Sequence, residues 1–260
     1  MEEALIYVFL LVPFFVVLGL VGYGYSHIFA FFFKYLKPLS DDRKRILKKF
    51  RYYRRLPADK KREFERRVQR FISLKEFIPM QMEEVTQEMK TLIAASAVQL
   101  TFGLSEVQLA GFDKIYVYPT KYFSKINKAY HTGEVDPRGH IVIAWEAFAN
   151  GYKNAHDAVN VGLHEMAHAL TLENRSSDYE ANILDKEAYK DWKKLMVREF
   201  TRIKQGAKSY LRRYAFYHRE EFFPVCTEYF FERPKEFKKE RPELYEALSR
   251  LLRQDPAKDC

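Results

Sequence analysis

The stretch Val161-Gly162-Leu163-His164-Glu165-Met166-Ala167-His168-Ala169-Leu170 decides how this chain is read. It holds the pattern H-E-x-x-H in an apolar, helix-favouring context. Residues four apart on a helix project from one face, about 5 to 6 Å from each other. His164 and His168 can therefore reach one tetrahedral zinc ion, while Glu165 faces the water on that ion as general base. The flanks support a helix: Asn154 suits an N-cap, and residues 155–172 contain no proline, with Gly162 the one weak point. The apolar neighbours suit a helix buried under a cleft. The pattern points to the active centre of a zinc hydrolase. His156 and Asn160 share the four-residue spacing but match no ligand pattern, and capping or packing accounts for them.

The 260 residues allow one large domain or two small ones, and a composition 47% hydrophobic and 16% aromatic supplies a core, which excludes a disordered chain. A net charge of +9 suits nucleic acid or an anionic membrane, so its position decides. Between Ala4 and Phe33 there is no Asp, Glu, Lys or Arg, a run longer than the roughly 20 apolar residues that cross a bilayer core. A secretory signal would begin with positive charge and end at a small-residue cleavage site, whereas this run follows Glu2-Glu3 and ends Phe31-Phe32-Phe33-Lys34. The expectation is an uncleaved transmembrane anchor over residues 1–36, with Tyr23, Tyr25, Phe29 and Tyr35 at the interface.

Basic residues crowd the next segment, from Lys34 and Lys37 through Arg43-Lys44-Arg45 to Arg66-Arg67. The positive-inside rule keeps this flank in the cytoplasm. The expected location is thus the cell inner membrane, single-pass, with the catalytic domain cytoplasmic. Asp59, Glu63 and Glu65 fall among the cations at helical spacings, as on a solvated helix face. The larger role read here is attraction to anionic lipid headgroups, at about 1 kcal/mol per well-placed cation. Nucleic acid is disfavoured, since no fold motif for it appears. Cys226 and Cys260, with no C-x-x-C, form no disulfide framework, in keeping with a reducing compartment.

Residues 37–80 read as a basic juxtamembrane helical region and 81–260 as the metallopeptidase domain. Within 39–71 the pattern gives two helices, split at Leu56-Pro57-Ala58. Residues 82–100 have the small and apolar spacing of a core helix, and 176–203 that of an amphipathic one. Residues 115–119 and 140–145 read as strands, the second introduced by the turn Asp136-Pro137-Arg138-Gly139. The fold class is α+β, mostly helical with a small sheet. The strand ending at Trp145 is either the edge strand that takes a substrate backbone or an ordinary core strand, and periodicity leaves both open. Glu173, Asp178, Glu180 and Glu187 are ligands by type but suit solvated or capping positions.

A catalytic zinc needs a third protein ligand and an open position for water. Between Tyr214 and Phe231 the candidates by residue type are His218, Glu220, Glu221 and Glu228. Glu221 and Glu228 lie seven apart and would share a helix face. A carboxylate buried among Phe and Val needs a partner such as a metal or a ligating histidine. Residue chemistry alone leaves the four open.

The motif His164-Glu165-Met166-Ala167-His168, followed by Glu221-Phe222-Phe223 and Thr227-Glu228-Tyr229-Phe230-Phe231, then Pro234, Pro242-Glu243-Leu244-Tyr245 and Gln254-Asp255-Pro256, resembles the Mlc titration factor A family of zinc peptidases. The likeness runs over residues 115–256. It implies a zincin-like domain with a lethal-factor-like gluzincin core, in which zinc is held by His164, His168 and Glu221 and Glu165 is the general base. Tyr214, seven residues before the third ligand, then lies beside the metal. The resemblance implies aminopeptidase-like hydrolysis of peptide or protein substrates. It also implies an alternative, a membrane-tethered regulator that binds a cytoplasmic transcription factor. No fourth His or Cys is placed to close a structural zinc site, which favours the enzyme. Two departures count. Thr171 stands where the family usually has Asp, weakening an outer hydrogen bond. Pro224 would kink the segment carrying Glu221 unless its helix starts just before it.

Overall fold

A computed structural model of the chain describes residues 38–105, 107–124, 127–154, 156–176 and 183–258. The transmembrane segment expected within residues 1–36 lies outside them. Among the described residues no helix is long and apolar enough to cross a membrane.

Three helices come first: α1 (Asp41–Leu47), α2 (Arg51–Arg55) and α3 (Ala58–Leu74). Pro57 produces the expected break and sits as the N-cap of α3. A second break falls at Phe50, whose backbone is extended although no Pro or Gly dictates it. Tertiary burial overrides local propensity there, because Leu47, Phe50 and Tyr53 are all sunk in the core. After the short strand β1 (Glu76–Pro79), α4 (Gln87–Thr101) starts later than residue 82. Its boundary is set by Thr86, whose hydroxyl accepts from the Met89 amide at 3.2 Å. From Ile93 to Thr101 α4 is buried without interruption.

The remaining strands are β2 (Lys114–Tyr118), β3 (Tyr122–Ser124), β4 (Ala129–His131), β5 (Gly133–Asp136) and β6 (His140–Ala144). The four-stranded sheet has the order β1-β2-β6-β5, with β5 antiparallel to β6 and the other pairs parallel. β3 and β4 pair separately. The strand expected at 140–145 is therefore an interior core strand, bonded on both sides. The edges of that sheet are β1 and β5, and at β5 the sequence reading placed no strand, only the turn that begins at Asp136.

α5 (Trp145–Lys153) precedes the motif helix α6 (Val161–Ser176). Asn154 ends α5 instead of starting α6. Asn160 caps α6, its Oδ1 accepting from the Leu163 amide at 3.0 Å. Gly162 is a close-packing position: a Cβ there would lie 2.5 Å from the Phe148 ring and 2.9 Å from the Ser96 hydroxyl. α6 can press against α4 and α5 only because no side chain stands between them.

α7 (Lys186–Lys204) is capped by Asp185, and two 3-10 turns at Arg213–Phe216 and Arg219–Glu221 lead into α8 (Phe222–Glu232), α9 (Pro234–Glu240) and α10 (Pro242–Leu252). Every residue of α8 is buried, as befits a helix apolar on nearly all sides. Pro224 is its third residue, so its missing N–H is one that a helix start leaves unpaired and the feared kink does not arise. Leu47, Phe64 and Phe71 lie in the same apolar cluster as Ile93, Leu170 and Phe230. The Tyr52 hydroxyl donates to Gln254 at 2.6 Å, and Gln254 Nε2 donates to the Gln99 and Leu100 carbonyls at 3.1 and 3.0 Å. Residues 39–80 and the segment from 81 onward are thus packed as one unit. The architecture is α+β, mostly helical with a small sheet.

Candidate metal centre

α6 presents His164 and His168 towards the start of α8, where Glu221 is the last residue before the helix. His164 Nε2 lies 3.0 Å from Glu221 Oε2 and 3.2 Å from His168 Nε2, and His168 Nε2 lies 3.5 Å from Glu221 Oε2. A tetrahedral zinc with bonds of about 2.0–2.1 Å spaces its ligand atoms about 3.3–3.4 Å apart. The observed triangle has nearly those edges. Two ring nitrogens turned on each other and on a carboxylate oxygen also form a donor set that hydrogen bonds alone satisfy poorly. The three side chains fit a metal ion.

The other nitrogen of His164 is equally well defined. Its Nδ1 lies 2.6 Å from Glu228 Oε1, so the ring donates there and turns its Nε2 lone pair towards Glu221 and His168. Glu228 is 1% exposed, and a carboxylate so deep requires compensation. It accepts from the Asn160 amide at 2.7 Å and from two Arg212 nitrogens at 2.9 and 2.6 Å. Arg212 also donates to the Ala158 carbonyl. Burial would depress His164, but the hydrogen bonds to Glu221 and Glu228 outweigh it and push the ring up to about 10, so a metal ion takes Nε2 by displacing a proton from it. Burial would raise Glu221, yet its contacts with the two histidines hold its carboxyl well below the usual range.

Glu165 is 6% exposed, and burial raises its carboxyl. It packs under β5, where a Cβ on Gly133 would lie 2.6 Å from Glu165 Cδ. Tyr214, in the first 3-10 turn, is 41% exposed and its ring centroid is 5.9 Å from that of His164. Burial, then the nearby Glu221 carboxylate, pushes its hydroxyl up to about 12.

His218 and Glu220 are exposed and stand apart from the histidines. The Thr171 hydroxyl turns back to the His168 carbonyl at 2.9 Å, and the outer support of His164 comes from Glu228. Glu173 accepts from the Ala110 and Gly111 amides at 3.0 and 3.2 Å, tying down a loop. Glu187 is exposed in the first turn of α7, while Asp178 and Glu180 lie outside the described residues. His156 is exposed and meets Arg51 at 3.1 Å. Two contributors escaped the sequence reading: Arg212, signalled only by the need of a buried Glu228 for a cation, and Gly133, visible only once β5 is placed over Glu165.

A model of the family described as glucose-regulated metallo-peptidase M90 matches residues 35–253. Among similar proteins, an uncharacterized protein of Synechocystis sp. is 26% identical over 266 aligned positions, covering 94% of this chain and 97% of the relative. Mlc titration factor A of Pectobacterium atrosepticum is 24% identical over 204 positions, 72% of this chain and 76% of the relative. Mlc titration factor A of Serratia proteamaculans is 24% identical over 200 positions, 70% and 75% respectively.

Proposed function

The chain belongs to the glucose-regulated metallo-peptidase M90 family, and from that premise we propose that it is a zinc-dependent peptidase with His164, His168 and Glu221 as metal ligands. The observation that carries the reading is the convergence of those three donor atoms within 3.5 Å beside a buried Glu165. A zinc ion in that group would polarise the scissile carbonyl and lower the pKa of a bound water towards about 7. Glu165 takes that water's proton on its carboxylate and returns it to the leaving amine nitrogen. The Tyr214 hydroxyl donates to the oxygen on which charge develops. Glu228 keeps the His164 ring in the tautomer that leaves Nε2 free for the metal.

β5 lies at the edge of the sheet and next to Glu165, so an extended peptide adding to that edge would bring its backbone over the general base. Aminopeptidase-like trimming of short peptides is the finer form of this reading. The same reading anchors the chain in the inner membrane through residues 1–36, with the catalytic domain cytoplasmic. Its support is the uncharged run between Ala4 and Phe33 and the basic residues that follow.

The test combines metal analysis with peptidase assays on wild type and Glu165→Gln. The variant should hold zinc as the wild type does and lose nearly all turnover, because the base goes and the ligands stay. Unchanged turnover overturns the mechanism. The relatives named Mlc titration factor A favour a second reading, a tethered regulator that binds a cytoplasmic transcription factor. Wild type without peptidase activity, but with a captured regulator that Glu165→Gln captures equally well, would select it.

A further inference from the structure

The first 3-10 turn, Arg213–Phe216, sorts its side chains by its own geometry. Residues three apart on such a turn eclipse one another, so Tyr214 and Tyr217 leave the backbone on one side. Their rings meet edge to face with centroids 5.6 Å apart. The Tyr217 amide donates to the Tyr214 carbonyl at 3.1 Å and closes the turn. The two residues between them go the other way. Ala215 is fully buried, and Phe216 packs on Phe200 of α7 and Phe222 of α8, with centroids 5.3 and 5.8 Å away. The core thus fixes the turn, and the turn fixes Tyr217.

Tyr217 is nevertheless 60% exposed. A single aromatic ring in water is ordinary, but this one continues a row of rings that starts at the metal centre. Tyr214 lies 5.9 Å from the His164 ring and Tyr217 lies 5.6 Å beyond it. An extended peptide rises about 3.3 Å per residue. A substrate whose scissile carbonyl meets the Tyr214 hydroxyl therefore has a side chain one or two residues away within reach of the Tyr217 ring. Arg213 and Arg219, on the same two turns, are exposed, with Glu220 as the exposed acid beside them. Two cations against one anion disfavour a lysine or arginine side chain there and leave an apolar one as the better partner for the ring.

We propose that Tyr217 is a specificity-determining residue, its ring the wall of a subsite for a large apolar side chain, such as Phe or Leu, one or two residues from the bond that is cut. The inference rests on the peptidase reading of the same site and names its substrate class: peptides carrying a large apolar residue beside the scissile bond. The ring supplies contact area and no charge, so it binds substrate and transition state alike, and its loss raises KM more than it lowers kcat. Because the turn holds the ring in place before a substrate arrives, little ordering cost opposes the contact.

The test uses the full chain loaded with zinc and short peptides of Ala and Gly in which one position at a time carries Phe, Leu or Lys. In wild type, Phe or Leu at one position within two residues of the cut should raise kcat/KM about tenfold or more over Ala, and Lys should not. Tyr217→Ala should bring Phe and Ala to within about threefold of each other, chiefly through KM, whereas Tyr217→Phe keeps the ring and should keep the preference. The same peptides are titrated calorimetrically into Glu165→Gln with and without Tyr217→Ala, where the preference should appear as tighter binding of the Phe or Leu peptide. This arm needs no turnover, so it reads the subsite apart from the chemistry. Equal binding of the Phe and Ala peptides, or a preference that survives Tyr217→Ala, overturns the subsite and leaves the peptidase reading standing. A preference lost together with zinc in Tyr217→Ala also overturns it, since Tyr217 would then only support the metal centre. Preferential binding that depends on Tyr217, in a protein that cleaves no peptide, upholds the subsite and overturns the peptidase reading.

Discussion

Glu228 Oε1 lies 2.6 Å from His164 Nδ1, on the opposite side of the ring from Glu221, so one helix and its entry turn hold a single histidine by both nitrogens. The two carboxylates have different tasks, and their removal should differ. Glu221→Ala should purify largely free of zinc. Glu228→Ala should keep zinc with affinity reduced about 10- to 100-fold. It should also lose about 1–3 kcal/mol of stability, because the buried Asn160 amide is left without an acceptor and the half-buried Arg212 loses its carboxylate. Glu220→Ala should do neither. Mass spectrometry of metal content and denaturant unfolding check this series, and a greater metal loss in Glu220→Ala or Glu228→Ala would refute the ligand assignment.

Gly133 offers a probe of the proposed general base that touches none of the proposed metal ligands. A methyl group there would stand 2.6 Å from Glu165 Cδ and force the carboxylate aside. Displacement by about 1 Å can cost about 100-fold in rate. Gly133→Ala should accordingly keep its zinc and lose roughly 100-fold in kcat. Steady-state kinetics beside metal analysis decide, and full activity would mean that Glu165 is not the proton carrier.

Tyr214→Phe removes a hydroxyl from an exposed ring that supports no core contact. The expected loss is about 100-fold in kcat, the usual scale for one oxyanion donor, with metal content and melting temperature unchanged. A drop in metal content instead would make Tyr214 a support of Glu221 and not a transition-state donor.

Lys75 gives a pH dependence separate from the metal centre. Burial lowers its pKa to about 8 from 10.5, although Glu173 and Asp113 pull the other way, and its ammonium donates to the Leu109 carbonyl at 2.5 Å. Its folded pKa is depressed, so the unfolded chain binds more protons between about 8 and 10.5 and stability rises with pH across that window. Against Lys75→Met, which lacks the titration, wild type should gain up to about 3 kcal/mol between pH 7 and pH 10. Urea midpoints at the two pH values measure it, and a constant difference would show that the ammonium is not desolvated.

His164, Glu165 and His168 were legible because their arrangement is local: one helix turn sets it. The third member of the group was not, because Glu220, Glu221 and Glu228 differ only in which way a 3-10 turn and α8 point them, and Phe222, Phe223 and Phe230 are buried beside them. A family resemblance, not residue chemistry, singled out Glu221. Helix existence was read well and helix starts poorly, since Thr86 and Asp185 act through a single side-chain bond each. β5 was missed because four residues, Gly133 to Asp136, carry too short an alternation to stand out beside a turn. The break at Phe50 had no local signal, being made by the core.

The bonds from Tyr52 to Gln254 and from Gln254 to the end of α4 bear on how the chain is born. During synthesis the early helices leave the ribosome long before residue 254 does, and until then Tyr52 and the carbonyls of Gln99 and Leu100 wait without the partner that closes them together. The histidine pair waits as well, since Glu221, Glu228 and Arg212 are all made after it. A nascent chain therefore carries the two histidines before Glu221 exists to complete the proposed metal site, and the residues that close the fold are also the ones that close that site.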